Sequence, residues 1–397
     1  MHAVVHAADD ESGFSTLVTG TASINSDFSA TAERDLRKGE GIGVPIALVI
    51  LLLVFGAVVA AALPIGLAVV AITAAVALTA LVGQTFDMSV FAINMISMMG
   101  LATGIDYSLF IISRFREERA RGRDRVDAIT VTGGTASRAV LFSGLTVILA
   151  LIGLIAVPTN IFASLAVGAM LVVAMAVLAA LTLLPAVLSL LGDRVNRLKV
   201  PYLGRRILDG HTSGRTSWIA RLAQRAMRRP ALALAAGVAL LLLCAYPALD
   251  MQTGVSGVST FPDDFQSKQG FAVLDRQFSA GTVNPVQIVV DGRVDDPAVR
   301  AGMTHLETAL AEDEAFGPVQ TQVAATGTLA LLSVPVAGDA VGDVAIQKVR
   351  DLRETLVPAA FGGTGASVYV TGQTAGNVDY ADMVNGYFPW VVALSSA

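Results

Sequence analysis

The chain has 397 residues, of which 54% are hydrophobic and 15% carry a charge, and its formal net charge is −5. These values are typical of an integral membrane protein and exclude an ordinary soluble enzyme. The single cysteine, Cys244, excludes an internal disulfide, and we expect no nucleic-acid partner.

The first half of the chain is predicted to be a polar segment followed by membrane helices. Residues 1–40 are polar and are interpreted as the end of an extracytoplasmic domain. Residues 41–192 are predicted to hold five transmembrane helices, because Pro64 and Gly66 split the first apolar stretch into a helical hairpin. The predicted spans are 44–62, 64–82, 88–113, 137–157 and 161–191.

The second half is predicted to cross the membrane once more and then to form an extracytoplasmic domain. A basic loop at 193–230 precedes a sixth transmembrane helix at 231–249. Residues 250–386 alternate between strand and helix patterns in the order βαββαβ, which is the split, ferredoxin-like arrangement. Residues 387–397 begin a seventh apolar helix that is too short to span a bilayer, so we expect a longer parent protein.

The distribution of charge predicts which segments lie in the cytoplasm. Residues 114–138 hold seven arginines and four acids, and residues 193–229 hold ten basic residues and two acids. The positive-inside rule places both segments in the cytoplasm. Counting helices from them places 250–386 outside, where there are seven basic residues and seventeen acids. The charges that follow Ser113 are interpreted as solvated side chains rather than as an interfacial helix.

A short internal repeat precedes two of the apolar stretches. Thr19-Gly20 with Thr21-Ala22 matches Thr371-Gly372 with Thr374-Ala375 when one residue is inserted. The repeat indicates two copies of one unit, as the tandem halves of a transporter have.

Asp106 is the residue around which the functional prediction is built. Between Val44 and Ser113 only Asp87 and Asp106 carry a charge, and Asp87 lies in a polar break. Asp106 is eight residues from Arg114, about 12 Å along a helix, which places it inside the hydrocarbon core. Inserting a carboxylate near the centre of a membrane helix costs at least about 2.5 kcal/mol of insertion free energy. Because a chain that tolerates this cost usually uses the group, we expect an ion or proton site. The alternative is a structural carboxyl that is hydrogen-bonded to a neighbouring helix.

Small residues near Asp106 predict close helix packing. Gly100 and Gly104 form a G-x-x-x-G pattern that lets another backbone approach. Ser143 in the fourth span is interpreted either as a relay hydroxyl or as an ordinary hydroxyl that bonds to its own helical turn. Phe261, Phe265 and Phe278 are interpreted as packing residues rather than as a hydrophobic path for a substrate.

Motifs for nucleotide hydrolysis, metal binding and nucleophilic catalysis are not found in the sequence. None of the four lysines precedes Ser or Thr, so there is no P-loop, and no G-x-S-x-G or His-Glu zinc helix occurs. We therefore expect no metal, no cofactor and no enzymatic activity, and an ion gradient as the energy source.

The stretch GIDYSLFIISRFREE resembles the fourth transmembrane helix of MMPL (mycobacterial membrane protein large) transporters in the resistance-nodulation-division superfamily. The agreement covers Gly104, Asp106-Tyr107, Leu109-Phe110, Ser113-Arg114 and Arg116-Glu117. The resemblance implies an α-helical transmembrane bundle with six full spans and a seventh begun, plus an extracytoplasmic α+β porter-type domain. It also implies that the chain lacks a helix with a second Asp-Tyr pair facing the first.

This resemblance implies proton-driven export of lipids or hydrophobic small molecules by a multi-pass protein of the cell membrane. Asp106 would bind and release the proton, and Tyr107 would bond the partner carboxylate or orient Asp106. The expected partners are membrane lipids, the hydrophobic substrate and the missing half of the protein. The alternatives are a non-transporting component, such as a protein-export auxiliary or a sterol-sensing-type scaffold, and an inactive truncated fragment.

Overall fold

The computed structural model describes residues 17–196, 198, 226–247, 258, 261–274, 277 and 285–396. Two compact units divide the chain, one made of residues 33–251 with 387–397 and one made of residues 1–32 with 252–386. Most of the predicted basic loop at 193–230, the end of the predicted sixth span and Phe278 lie outside the described residues.

Apolar helices dominate the first unit. They are α1 (Thr21–Phe55), α2 (Val58–Val82), α3 (Phe91–Ala120), α4 (Arg125–Thr132), α5 (Arg138–Ile155), α6 (Asn160–Leu178), α7 (Leu184–Leu191) and α8 (Pro230–Ala245). The π-helical segments Gly133–Ser137 and Ala179–Leu183 join α4 to α5 and α6 to α7. Counted with these joins, five helices of the described part, 25 to 34 residues long, are long and apolar enough to cross a membrane. The predicted sixth span is an apolar helix of 16 residues.

The hairpin that separates α1 from α2 is not where the sequence predicted it. The chain breaks at Gly56 and Ala57, whereas Pro64 lies buried inside α2. Gly56 has φ +63, a conformation that favours glycine, and this ends α1. A proline inside a membrane helix is tolerated because neighbouring groups satisfy the freed backbone.

The charged segment after Ser113 is also more ordered than predicted. Helix α3 continues to Ala120, and α4 begins at Arg125 after a short turn. The Asp124 carboxylate accepts a hydrogen bond of 2.7 Å from the Asp127 backbone N–H, which caps α4. Most of the charged side chains in this segment are exposed, as Glu117, Arg121 and Arg123 are, but Glu118 is buried, so the interpretation as solvated charge fails at that residue.

Helix α3 packs against α2 and α6 in the centre of the helical unit. The core between these helices is built from small and branched side chains, so the helix axes lie close together. Its fully buried members include Ala60, Ala71, Ile111, Ile112, Phe115 and Val173.

A four-stranded antiparallel sheet forms the centre of the second unit. Its elements are α9 (Gln266–Leu274), β1 (Val286–Asp291), α10 (Pro297–Ala311), β2 (Gln320–Val323), β3 (Leu329–Val334), α11 (Asp343–Asp351), α12 (Val357–Phe361), β4 (Ser367–Thr371) and α13 (Gln373–Ser396). The strand order is β2-β3-β1-β4, and Ile288 pairs with Leu332 and with Val370.

Helix α10 covers one face of this sheet with apolar residues spaced three or four positions apart. Val299, Met303, Leu306 and Leu310 are all buried, in one core with the inward side chains of the strands. The Asp296 carboxylate accepts a hydrogen bond from the Ala298 backbone N–H and caps the helix.

A smaller aromatic core in the same unit joins the start of α1 to the segment before β1. Phe261 is buried beside Ile24, and its ring lies 6.2 Å from that of Phe28 and 6.0 Å from that of Phe265. Phe261 and Phe265 are therefore packing residues.

Candidate functional site

Asp106 lies on a face of α3 that no other described element covers. The side chains on this face are spaced three or four residues apart, as one stripe of a helix requires. They are Met98, Ala102, Asp106, Phe110 and Ser113, and all are exposed. Met98 is 66% exposed and Phe110 is 51% exposed, so the acid lies in an uncovered apolar stripe.

The Asp106 carboxyl has no hydrogen-bond or ion-pair partner among the residues that the structure describes. The alternative interpretation, a carboxyl bonded to a neighbouring helix, therefore has no partner within this part of the chain.

Tyr107 points the other way, into the bundle. It is 8% exposed, although the preceding residue is exposed. A Cβ atom built on Gly144 of α5 would lie 3.6 Å from the Tyr107 hydroxyl and 2.3 Å from Cγ2 of Val177. The side chains of consecutive residues in a helix are rotated by about 100° about the helix axis, so Asp106 and Tyr107 lie on different faces of α3.

The α5 residue that approaches Tyr107 is Gly144, and its neighbour is Ser143, the candidate relay hydroxyl. Ser143 is exposed, and it has no hydrogen bond to another described residue through its side chain. Gly144 is buried because α5 approaches α6 too closely there to admit a methyl group. The sequence indicated Ser143 as a small polar residue, and only the packing shows that Gly144 lies at the close approach.

The G-x-x-x-G pattern faces α2. A Cβ atom on Gly104 would lie 2.7 Å from the Cα atom of Ala68, and one on Gly100 would lie 2.4 Å from Cγ1 of Ile72. Contacts this short with added atoms mean that only glycine fits. Both glycines are buried, so this packed side of α3 is not the side that carries Asp106.

The C-terminal end of α3 holds a buried carboxylate that the sequence did not indicate. Glu118 is 0% exposed. Its Oε1 lies 2.7 Å from the guanidinium groups of Arg114 and Arg121, and its Oε2 lies 2.7 Å from Nε of Arg123 without hydrogen-bond alignment. The cluster of arginines in the sequence was the available signal, but it did not indicate which acid would be buried.

A cleft of about 390 Å³ opens on the uncovered side of α3 next to this cluster. Its lining is mixed in polarity, with Phe110, Ser113, Arg114, Glu117, Thr135 and Ala136. The cleft begins one helical turn from Asp106, because Phe110 is four residues further along α3.

No group of three or more His, Cys, Asp or Glu side chains in the described part of the chain could hold a metal ion. The candidate site is thus a single acid with its helix environment.

The sequence pattern that defines the MMPL family matches residues 1–233 and 259–395. The chain belongs to the MMPL family. It is therefore a multi-pass protein of the cell membrane, and two of its curated relatives are named as exporters.

Three curated relatives of this MMPL chain show how similar it is to other members. It is 33% identical to the mycolic acid-containing lipids exporter MmpL11 of Mycolicibacterium smegmatis, over 94% of this chain and 39% of that protein. It is 34% identical to the putative membrane protein SCO6666 of Streptomyces coelicolor, over 97% of this chain and 51% of that protein. The trehalose monomycolate exporter MmpL3 of M. smegmatis is 29% identical, over 72% of this chain and 30% of that protein. The chain thus spans about half or less of these relatives.

Two solved structures align with most of this chain at low sequence identity. The SecDF protein from Thermus thermophilus aligns over 91% of this MMPL chain and 42% of its own, with a TM-score of 0.45 and 14% identity. A heavy metal efflux pump aligns over 89% of this chain and 32% of its own, with a TM-score of 0.37 and 16% identity.

Proposed function

We propose that this chain is part of a transporter that exports lipids or other hydrophobic small molecules across the cell membrane, driven by the proton gradient. Asp106 carries the proton in this proposal. The observation on which it depends is the unpartnered carboxyl of Asp106 in an apolar stripe, within a helix that spans the membrane.

The energetic argument is that a membrane helix retains such an acid only where the acid is used. Placing Asp106 at this depth costs at least about 2.5 kcal/mol, and no described cation offsets the cost. Intramembrane acids mark ion pathways more often than not. No P-loop is present in the sequence, so a gradient is the available source of energy.

The uncovered stripe on α3 is the observation that supports a further membrane helix packing against this face. Met98 lies eight residues before Asp106 and Phe110 lies four residues after it, and both side chains are more than half exposed. A carboxyl facing lipid is unfavourable, whereas one facing protein or a water-filled cavity is tolerated. We propose that a helix with a second Asp-Tyr pair, from the part of the protein outside this chain, covers the stripe and completes the relay.

Tyr107, Gly100 and Gly104 would then position the acid, not exchange the proton. The two glycines hold α3 against α2, and the Tyr107 ring fixes the opposite side of α3 against α5 and α6. With this side held, protonation of Asp106 changes only the interaction at the uncovered face. Rigid-body movement of the helices there can follow the protonation state.

The substrate class is inferred from the relatives. Two of them are described as exporters of mycolic acid-containing lipids and of trehalose monomycolate. We therefore propose a substrate with a long apolar chain.

An efflux assay on the longer parent protein tests the role of Asp106. Asp106→Asn keeps the size of the side chain and removes the exchangeable proton, so we expect transport that depends on the proton gradient to be lost. Asp87→Asn is the matched control, because Asp87 is exposed in the loop between α2 and α3. Normal transport by Asp106→Asn at parental expression would refute the proposal.

A further inference from the structure

Helix α1 contains a stretch of seven residues that opposes helix formation. Gly39, Gly41, Gly43 and Pro45 all lie within the continuous helix Thr21–Phe55. Glycine and proline are the two least favourable residues in a helix interior. Pro45 has no backbone N–H to donate to the carbonyl of Gly41, so one helical backbone hydrogen bond is missing there.

No described residue packs closely against these glycines. A Cβ atom on Gly39, Gly41 or Gly43 would meet nothing within 4 Å. Gly104, in contrast, would bring such an atom to 2.7 Å from the Ala68 backbone. The three glycines of α1 therefore weaken their helix without allowing a close contact within the part of the chain that the structure describes.

Helix α13 repeats this arrangement at the other end of the described chain. Gly386 and Pro389 lie inside the continuous helix Gln373–Ser396. A Cβ atom on Gly386 would again meet nothing within 4 Å, and Pro389 cannot donate to the carbonyl of Asn385.

Both helices run from one compact unit into the other, and each is anchored before its weak stretch. The division falls between Ala32 and Glu33 in α1 and between Gly386 and Tyr387 in α13. Ile24 of α1 is buried in the aromatic core of the sheet-containing unit.

The anchor of α13 combines apolar and charged contacts. Ala375 and Val378 are buried in the core of the sheet-containing unit. Arg353 donates to both carboxylate oxygens of Asp379, and Arg350 donates to Asp382 over 2.7 Å. These contacts end one turn before Gly386.

We infer that Gly39–Pro45 and Gly386–Pro389 are paired helical hinges. The first turns of α1 and α13 move with the sheet-containing unit, and bending at the two weak stretches separates that movement from the membrane spans. Hinges of this kind are a few positions that absorb backbone change far from the site of action. That the motion serves transport rests on the proposed function, whereas the bending itself does not.

Amide hydrogen exchange of the whole chain in lipid nanodiscs tests the bending. We expect exchange of the amides in 39–46 and 386–390 to be at least about tenfold faster than in the neighbouring turns, because their helical hydrogen bonds open locally. The triple variant Gly39→Ala, Gly41→Ala, Gly43→Ala should slow exchange in 39–46 and raise the melting temperature. Uniformly slow exchange along α1 and α13 would overturn the inference.

Transport by the longer parent tests the use of the hinge. The triple variant should lower the transport rate by about tenfold or more although it is more stable, a combination that a merely structural role does not give. Gly237→Ala in α8 and Gly66→Ala in α2 are matched controls, because both are open helical glycines outside the weak stretches. Parental transport by the triple variant overturns the coupling. If the parent itself lacks gradient-dependent transport, the proposed function fails, and the exchange experiment still decides the hinge.

Discussion

Gly20 and Gly372 have nearly the same backbone conformation, with φ of +112 and +110, and each immediately precedes a helix that continues into an apolar segment. The backbone N–H of Ile24 donates to the Gly20 carbonyl over 2.9 Å, and that of Gly376 donates to the Gly372 carbonyl over 2.9 Å. The short repeat in the sequence therefore corresponds to a repeated local structure.

The first prediction concerns these two glycines. Gly20→Ala should lower the free energy of unfolding by about 1–2 kcal/mol, because an L side chain is strained at positive φ. Gly372→Ala should lower the free energy of unfolding further, because its Cβ atom would also lie 2.9 Å from the Pro285 carbonyl oxygen. Denaturant unfolding measures both. Gly376→Ala is the control, because Gly376 is helical with open surroundings, and equal effects of Gly20→Ala and Gly376→Ala would contradict the prediction.

The second prediction concerns the contact between α3 and α2. Gly104→Ala should destabilise the protein by about 1–3 kcal/mol, because the added methyl group overlaps the Ala68 backbone. Gly66→Ala in α2 meets nothing within 4 Å, so it should leave stability unchanged or raise it. Thermal unfolding in detergent compares the two variants, and similar melting temperatures would show that the close packing is wrong.

The third prediction concerns the buried carboxylate at the end of α3. Glu118→Ala should lower the free energy of unfolding by about 1–3 kcal/mol, because the partly exposed guanidinium groups of Arg114, Arg121 and Arg123 lose their shared buried partner. Glu117→Ala should cost about 1 kcal/mol or less, since the Glu117 side chain is 49% exposed. Yield of folded protein and unfolding in mixed micelles measure the difference. A Glu118→Ala variant as stable as Glu117→Ala would exclude the buried cluster.

The fourth prediction is a pH dependence in the sheet-containing unit. The hydrogen bond from Lys348, 2.6 Å long, lowers the pKa of Asp313 below its ordinary value of 3.8, and the same bond raises the pKa of Lys348 above 10.5. The contribution of Asp313 to stability is thus present above about pH 3.8 and is lost as the pH falls through its lowered pKa. The contribution of Lys348 is present below about pH 10.5 and is lost as the pH rises through its raised pKa.

Lys348→Met should therefore be less stable than the parent at pH 7, by about 1 kcal/mol or less because the pair is partly exposed. The two proteins should converge in stability when the pH falls well below 3.8. Melting temperatures across this range measure the effect, with Glu314→Gln as an exposed control. A difference between Lys348→Met and the parent that does not change with pH would contradict the role of the ion pair.

The sequence was most informative where one local pattern is sufficient. Hydropathy located the apolar helices, and helical spacing identified the buried face of α10 through Val299 and Leu306. The sequence pattern was misleading at Pro64, which lies inside α2. A proline ends a membrane helix only where no neighbouring group satisfies the backbone carbonyl that loses its hydrogen bond. In the candidate site the sequence located Asp106, but it could not show that Gly144, rather than Ser143, approaches the Tyr107 hydroxyl.

The sequence by itself determined that this is a membrane protein with one acid deep in an apolar span, because hydropathy and charge are properties of short stretches. Tertiary structure alone decided which side of α3 is packed and which is uncovered. It also decided that Glu118 is buried and that the open glycines of α1 and α13 contact no other described helix or strand. The physical reason is that burial depends on distant segments brought together in space, whereas helical periodicity describes only one helix at a time.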